Sequence, residues 1–146
     1  LRQTLVQRYP AEPERFADTR DTLCYATNDN QSAVRAMLEQ EADLALVVGG
    51  YNSSNTSHLV ELCMEKMPTY FIEHADCLEA DGGIHYFDFH NHQHKHLDSF
   101  LPSKRPLRLL LTAGASCPDA LVEGVIQKLR LYVPEARSME DVLRDF

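Results

Sequence analysis

Leu44-Ala45-Leu46-Val47-Val48-Gly49-Gly50-Tyr51-Asn52-Ser53-Ser54-Asn55 passes from a continuous apolar run through two glycines into a row of polar side chains. An apolar run without alternation marks a parallel strand buried on both faces. Glycines let the backbone turn tightly. Ser or Asn beyond them suits a helix N-cap, where a side-chain oxygen meets an orphan N–H. The helix is predicted to start among Ser53, Ser54 and Asn55, to bury Leu59, Leu62, Cys63 and Met67, and to end at Pro68.

The same strand–polar cluster–helix unit occurs at Leu23-Cys24-Tyr25-Ala26-Thr27-Asn28 and at Leu111-Thr112-Ala113-Gly114-Ala115-Ser116-Cys117-Pro118. In the first, Thr22 to Ala26 reads as a short buried strand. Asn28 or Asn30 then caps a helix carrying Ala33, Val34, Met37 and Leu38 at helical spacing. In the second, Leu107 to Thr112 is a strand and Pro118 sits in the first turn of a helix whose face is Leu121, Val122, Val125, Ile126 and Leu129. Tyr70 to Ile72 is a further strand, Ile84 to Phe89 a more peripheral one, and Met139 to Phe146 a short last helix. This alternation predicts an α/β fold, a parallel sheet with helices on both faces.

The chain of 146 residues is 44% hydrophobic and carries a net charge of −8, enough for one domain with a core. That charge, and the lack of a basic stripe with interleaved aromatics, argues against nucleic-acid binding. No apolar run approaches a bilayer span and no signal peptide is evident, so a soluble intracellular protein is expected. Cys24, Cys63, Cys77 and Cys117 form neither a C-x-x-C pair nor a secreted disulfide framework. Leu1 to Tyr9 reads as the end of an amphipathic helix stopped by Pro10 and Pro13, which suggests continuation from a longer polypeptide.

In open parallel sheets, ligands bind outside the carboxyl ends of the strands, where helix N-termini expose N–H groups. Asn52-Ser53-Ser54-Asn55 offers two hydroxyls and two amides there, more than a single N-cap requires, and could hold a phosphate or diphosphate. No lysine is present, so the cluster is not a P-loop. Ser116 could donate to the same anion, although a cap or packing role would also explain it. Cys24 is either a small core residue or, given its place among these clusters, a ligand or reactive thiol. Cys63 reads as packing, while Cys77 and Cys117 read as incidental. His90, His92, His94 and His96 alternate after His85. Such a tract can bind zinc or nickel, but with no nearby cysteine it reads more simply as a solvated loop.

The three clusters, in order, resemble the 4-hydroxy-3-methylbut-2-enyl diphosphate reductases. The motif Gly49-Gly50-Tyr51-Asn52-Ser53-Ser54-Asn55-Thr56-Ser57-His58 looks like the branch found in cyanobacteria, plastids and some other bacteria. The resemblance implies three similar α/β domains around a cavity, each giving one cysteine to a 4Fe-4S cluster. Cys24 matches the third cysteine, and Ser53, Ser54, Asn55 and Ser116 match residues that bind the substrate diphosphate. It further implies that the substrate hydroxyl leaves as water with two electrons and two protons, giving isopentenyl and dimethylallyl diphosphates. A ferredoxin or flavodoxin would be the donor, in the cytoplasm or the plastid stroma of a plant or alga. Thiolate ligands would set the potential of such a cluster. The other two cysteines, the histidines and the glutamate of the family have no counterpart here. Residues 1–19 are therefore expected to be the tail of a preceding domain and residues 20–146 the C-terminal domain, inactive alone, with no catalytic residue. The competing expectations are a free-standing phosphate-binding module without redox chemistry and, ranked last, a metal scaffold built on the histidine tract.

Overall fold

A computed structural model of the chain describes residues 25–134. The elements expected at Leu1 to Tyr9, Thr22 to Cys24 and Met139 to Phe146 lie outside that range. The described order is α1 (Tyr25–Met37), β1 (Leu44–Val48), α2 (Ser54–Met64), β2 (Thr69–Ile72), a 3-10 turn (Ala75–Cys77), β3 (Ile84–Asp88), β4 (Gln93–Leu97), β5 (Leu109–Ala113) and α3 (Asp119–Tyr132).

The strands form one sheet in the order β4-β3-β2-β1-β5. β1 runs parallel to both β2 and β5, with Val48 opposite Ile72 on one side and Ala113 on the other. The remaining two strands are antiparallel, Phe71 facing Phe87 and His85 facing His96. The sheet is thus mixed, its parallel part being β2, β1 and β5, of which β1 and β5 lead into polar clusters. The α/β class and helices on both faces are as expected.

All five residues of β1 are buried, as a strand covered on both sides requires. Alternation along it feeds two cores. Ala45 and Val47 join Phe71 and Leu110 beneath Val34 of α1 and Leu59, Val60 and Cys63 of α2. Leu44, Leu46 and Val48 join Ile72, Leu78, Ile84 and Phe100 beneath Val125 of α3. Phe71 is 1% exposed, and truncating such a buried ring to alanine costs about 3–5 kcal/mol. Met67 lies past the end of α2 and packs on the first core from there.

Two expectations need correction. Tyr25 and Ala26 belong to α1, not to a strand. Short apolar runs do not distinguish the two states, and here the helix extends through them. The histidine tract is not a loop: Gln93–Leu97 pairs along the whole of β3. Backbone pairing holds it there, since four of its five residues are exposed.

Candidate functional site

β1 and β5 end side by side, and their connections to α2 and α3 begin at Gly49 and Gly114. The Gly114 N–H donates to Val48 O at 2.9 Å, which ties the second connection to the end of β1. The buried Thr56 of α2 sits between the two glycines. A Cβ on Gly49 would stand 2.8 Å from Thr56 Oγ1, and one on Gly114 would collide with the same oxygen. Only glycine permits this approach, so the two polar connections share one wall.

Ser53 is the N-cap of α2, its Oγ accepting from the Thr56 N–H at 3.3 Å. Its own O–H remains able to donate to an anion. The Ser57 N–H bonds Ser53 O, whereas Ser54 and Asn55 occupy first-turn positions whose N–H groups have no intrahelical acceptor. Ser54 is exposed. The Asn55 amide is buried, and neither its Nδ2 nor its Oδ1 has a hydrogen-bond partner among the described residues; Thr56 Oγ1 is likewise unpaired. An unmet buried polar group costs about 1–3 kcal/mol, so this amide calls for a partner.

Ser116 is exposed on the second connection. The N-cap of α3 is Pro118 with no side-chain cap bond, so Ser116 does not serve as the cap. From α1, Asn30 Nδ2 donates to Ala113 O at 2.8 Å, bringing that helix to the same end of the sheet. Asn28 and Asn30 were expected as alternative caps, but α1 starts earlier and the Asn30 amide is used in this long-range bond. Cys24, the residue before α1, lies outside the described residues. The structure therefore brings together Ser53, Ser54, Asn55 and the Ser116 connection.

The described cysteines do not fit an iron–sulfur cluster. Cys63 is buried in the core beneath α2, and burial pushes its thiol up to about 11. Cys77 is buried in the opposite core. Cys117 is half-buried, and desolvation followed by the nearby Asp119 raises its thiol too. For Cys63 and Cys117 these conditions oppose the thiolate form that ligation needs.

Tyr51, from the Gly-Gly motif, is a packing residue. Its ring lies 4.7 Å from Phe87, 5.0 Å from Phe71 and 5.2 Å from His94. Burial raises its phenol well above the usual range. His94 is thereby an aromatic partner. His85 and His96 instead meet Glu79, a grouping the sequence reading missed.

The LytB protein family model matches residues 2–130. The chain belongs to the LytB protein family. Among LytB relatives, the 4-hydroxy-3-methylbut-2-enyl diphosphate reductases of Thermosynechococcus vestitus and Gloeobacter violaceus are 36% and 37% identical over 131 residues. Each match covers 87% of this chain but only 32% and 31% of those proteins. A solved structure of (E)-4-hydroxy-3-methyl-but-2-enyl diphosphate reductase, described as the terminal enzyme of the non-mevalonate pathway, superposes with a TM-score of 0.51 and 28% identity. That match covers 75% of this chain and 32% of the solved one. The chain thus spans about a third of the length of its LytB relatives. No helix among the described residues is long and apolar enough to cross a membrane.

Proposed function

We propose that this chain is the diphosphate-holding, C-terminal part of a 4-hydroxy-3-methylbut-2-enyl diphosphate reductase in isoprenoid biosynthesis, with residues 1–19 belonging to the domain before it. The observation that carries the reading is the buried Asn55 amide at the start of α2, without a partner among the described residues and beside two glycine-led connections. Ser53 and Ser54 hydroxyls, the free first-turn N–H groups and Ser116 surround the same end of the sheet with neutral donors. A dianionic phosphate accepts from such donors, and a helix N-terminus adds a favourable dipole. Held by its diphosphate, the substrate has its carbon end oriented for reaction elsewhere in the protein.

Cys24 is the proposed thiolate ligand to a 4Fe-4S cluster. One cysteine does not hold such a cluster, so the other ligands must come from outside this chain. The cluster would supply the electrons, delivered by a ferredoxin or flavodoxin, in the cytoplasm or plastid stroma. The family membership and the reductase relatives support this reading.

The test is twofold. Pyrophosphate titrated calorimetrically into the 146-residue chain should bind, with at least a tenfold loss in Asn55→Ala. Absence of binding, or binding indifferent to Asn55→Ala, refutes the cradle. In the polypeptide as encoded, reconstituted anaerobically, Cys24→Ser should lose cluster iron and reductase activity while retaining pyrophosphate. Stoichiometric iron and activity in the 146-residue piece alone would overturn its role as a part.

A phosphate-binding module without redox chemistry is the second reading. It is favoured by Cys63, buried in the core with its thiol raised by desolvation, and by Cys117, whose thiol desolvation and Asp119 also raise. It predicts pyrophosphate binding with iron content untouched by Cys24→Ser.

A further inference from the structure

At the far edge of the sheet, Glu79, His85 and His96 bring one carboxylate and two imidazoles together, their candidate ligand atoms all within 4.8 Å of one another. His85 Nε2 lies 2.8 Å from Glu79 Oε1, and His96 Nε2 lies 3.0 Å from Glu79 Oε2. We propose that Glu79, His85 and His96 form a binding site for a divalent transition-metal ion, zinc being the ion of choice. The site is separate from the diphosphate cradle. It sits on the β3–β4 hairpin, three strand positions from β1 for His96, roughly 14 Å across the sheet.

The geometry is set by the fold rather than by flexible side chains alone. His85 and His96 are directly opposite each other in the β3–β4 ladder, so their rings share a face with centroids 4.5 Å apart. Glu79 is fixed through its backbone: its N–H donates to Gly83 O at 2.9 Å, and its carbonyl accepts from the Tyr132 hydroxyl of α3. Glycine at position 83 leaves room for the Glu79 carboxylate, which a Cβ there would displace. Three donors from two strands and a turn are therefore held around one point.

A carboxylate between two histidines could also be a plain ion-pair group. An ion pair needs only one imidazole against the carboxylate, whereas here both ring nitrogens converge on the two oxygens of Glu79. A divalent cation takes one nitrogen from each neutral ring together with a carboxylate oxygen, which is the donor set gathered here. Zinc takes His nitrogen at about 2.0–2.1 Å and carboxylate oxygen at about 2.0–2.2 Å, so its tetrahedral ligands lie roughly 3.3 Å apart. That spacing falls within the one found here. Asp98 Oδ1, 3.7 Å from His96 Nδ1, stands where an outer carboxylate orients a metal-bound imidazole. With His85 56% and His96 38% exposed, a fourth position is open to water.

Zinc chloride titrated into the metal-stripped 146-residue chain, followed by calorimetry and by histidine ring NMR, should show one ion per chain with shifts at His85 and His96. His85→Ala and His96→Ala should each lower affinity at least tenfold, and Asp98→Asn less, with circular dichroism confirming that each variant stays folded. His90→Ala and His92→Ala should change it less than twofold. Zinc bound without ring shifts and lost in Cys24→Ser is thiol binding and overturns the site. So does binding that depends on His90 or His92, or no binding by the folded chain.

Discussion

Replacing Gly114 by alanine probes the wall that joins the two polar connections. The new Cβ would fall on Thr56 Oγ1, a short, β-branched side chain that is itself buried and cannot swing into open space. Overpacking of this kind costs about 1–3 kcal/mol. The lower entropy of the unfolded alanine chain returns about 0.4–1 kcal/mol. The net loss is then about 1–2 kcal/mol, or roughly 3–7 °C in Tm for a chain of this size. Thr56→Ala removes the struck oxygen. By itself it should be mild, because the lost methyl contact is offset by relief of an unpaired buried hydroxyl, each worth on the order of 1 kcal/mol. The double variant should therefore recover about 1 kcal/mol or more relative to the sum of the single ones. Urea unfolding of the four proteins in a double-mutant cycle measures that coupling. A neutral Gly114→Ala, or strictly additive effects, would show that the two connections do not meet on Thr56.

Asn55→Ala should leave the unliganded chain as stable or more stable in thermal melts, since two unpaired buried polar atoms go, while pyrophosphate affinity falls; a loss of 2 kcal/mol or more without ligand counts against the argument. Cys63, with its thiol raised from 9.0 to about 11, should react with a disulfide reagent at pH 8 about a hundredfold more slowly than a free peptide thiol, and recover the ordinary rate in denaturant. Ordinary reactivity in the folded chain would contradict its burial. Asp43 accepts from the Arg108 N–H at 2.9 Å and from Lys104 Nζ at 2.6 Å, and these bonds hold its carboxyl below the usual range. Its folded pKa being depressed, its stabilisation is present above about pH 3.9 and lost as pH falls through the lower folded value. Wild type should exceed Asp43→Asn in urea midpoint at pH 6, the gap closing towards pH 2; a gap unchanged over that range refutes the pairing.

What the sequence disclosed follows from how locally each element is specified. β1 was legible because a strand covered on both sides must be apolar throughout, and Leu44–Val48 is. The start of α2 was legible because Ser53 caps it with its own side chain. β4 was not, since Gln93–Leu97 has no buried alternation and is a strand only through pairing with β3. Local chemistry does assist the hairpin, for Asp88 accepts from both the backbone N–H and the amide of Asn91, and Lys95 pairs with its carboxylate. Those contacts need the turn to exist first. Asn30 looked like a cap by residue type, yet its partner is Ala113, eighty-three positions away. Glu79 was invisible for the same reason. Six residues from His85 and seventeen from His96, it joins them only after the chain turns at Gly82 and Gly83 and the hairpin closes. The grouping of Ser53, Ser54 and Asn55, which the proposed diphosphate cradle uses, was easier because these residues are consecutive, and a helix N-terminus gathers consecutive residues without help. A site written in one loop is readable from spacing; one assembled across a turn and two strands has its ligand set decided by register, which a single sequence does not specify.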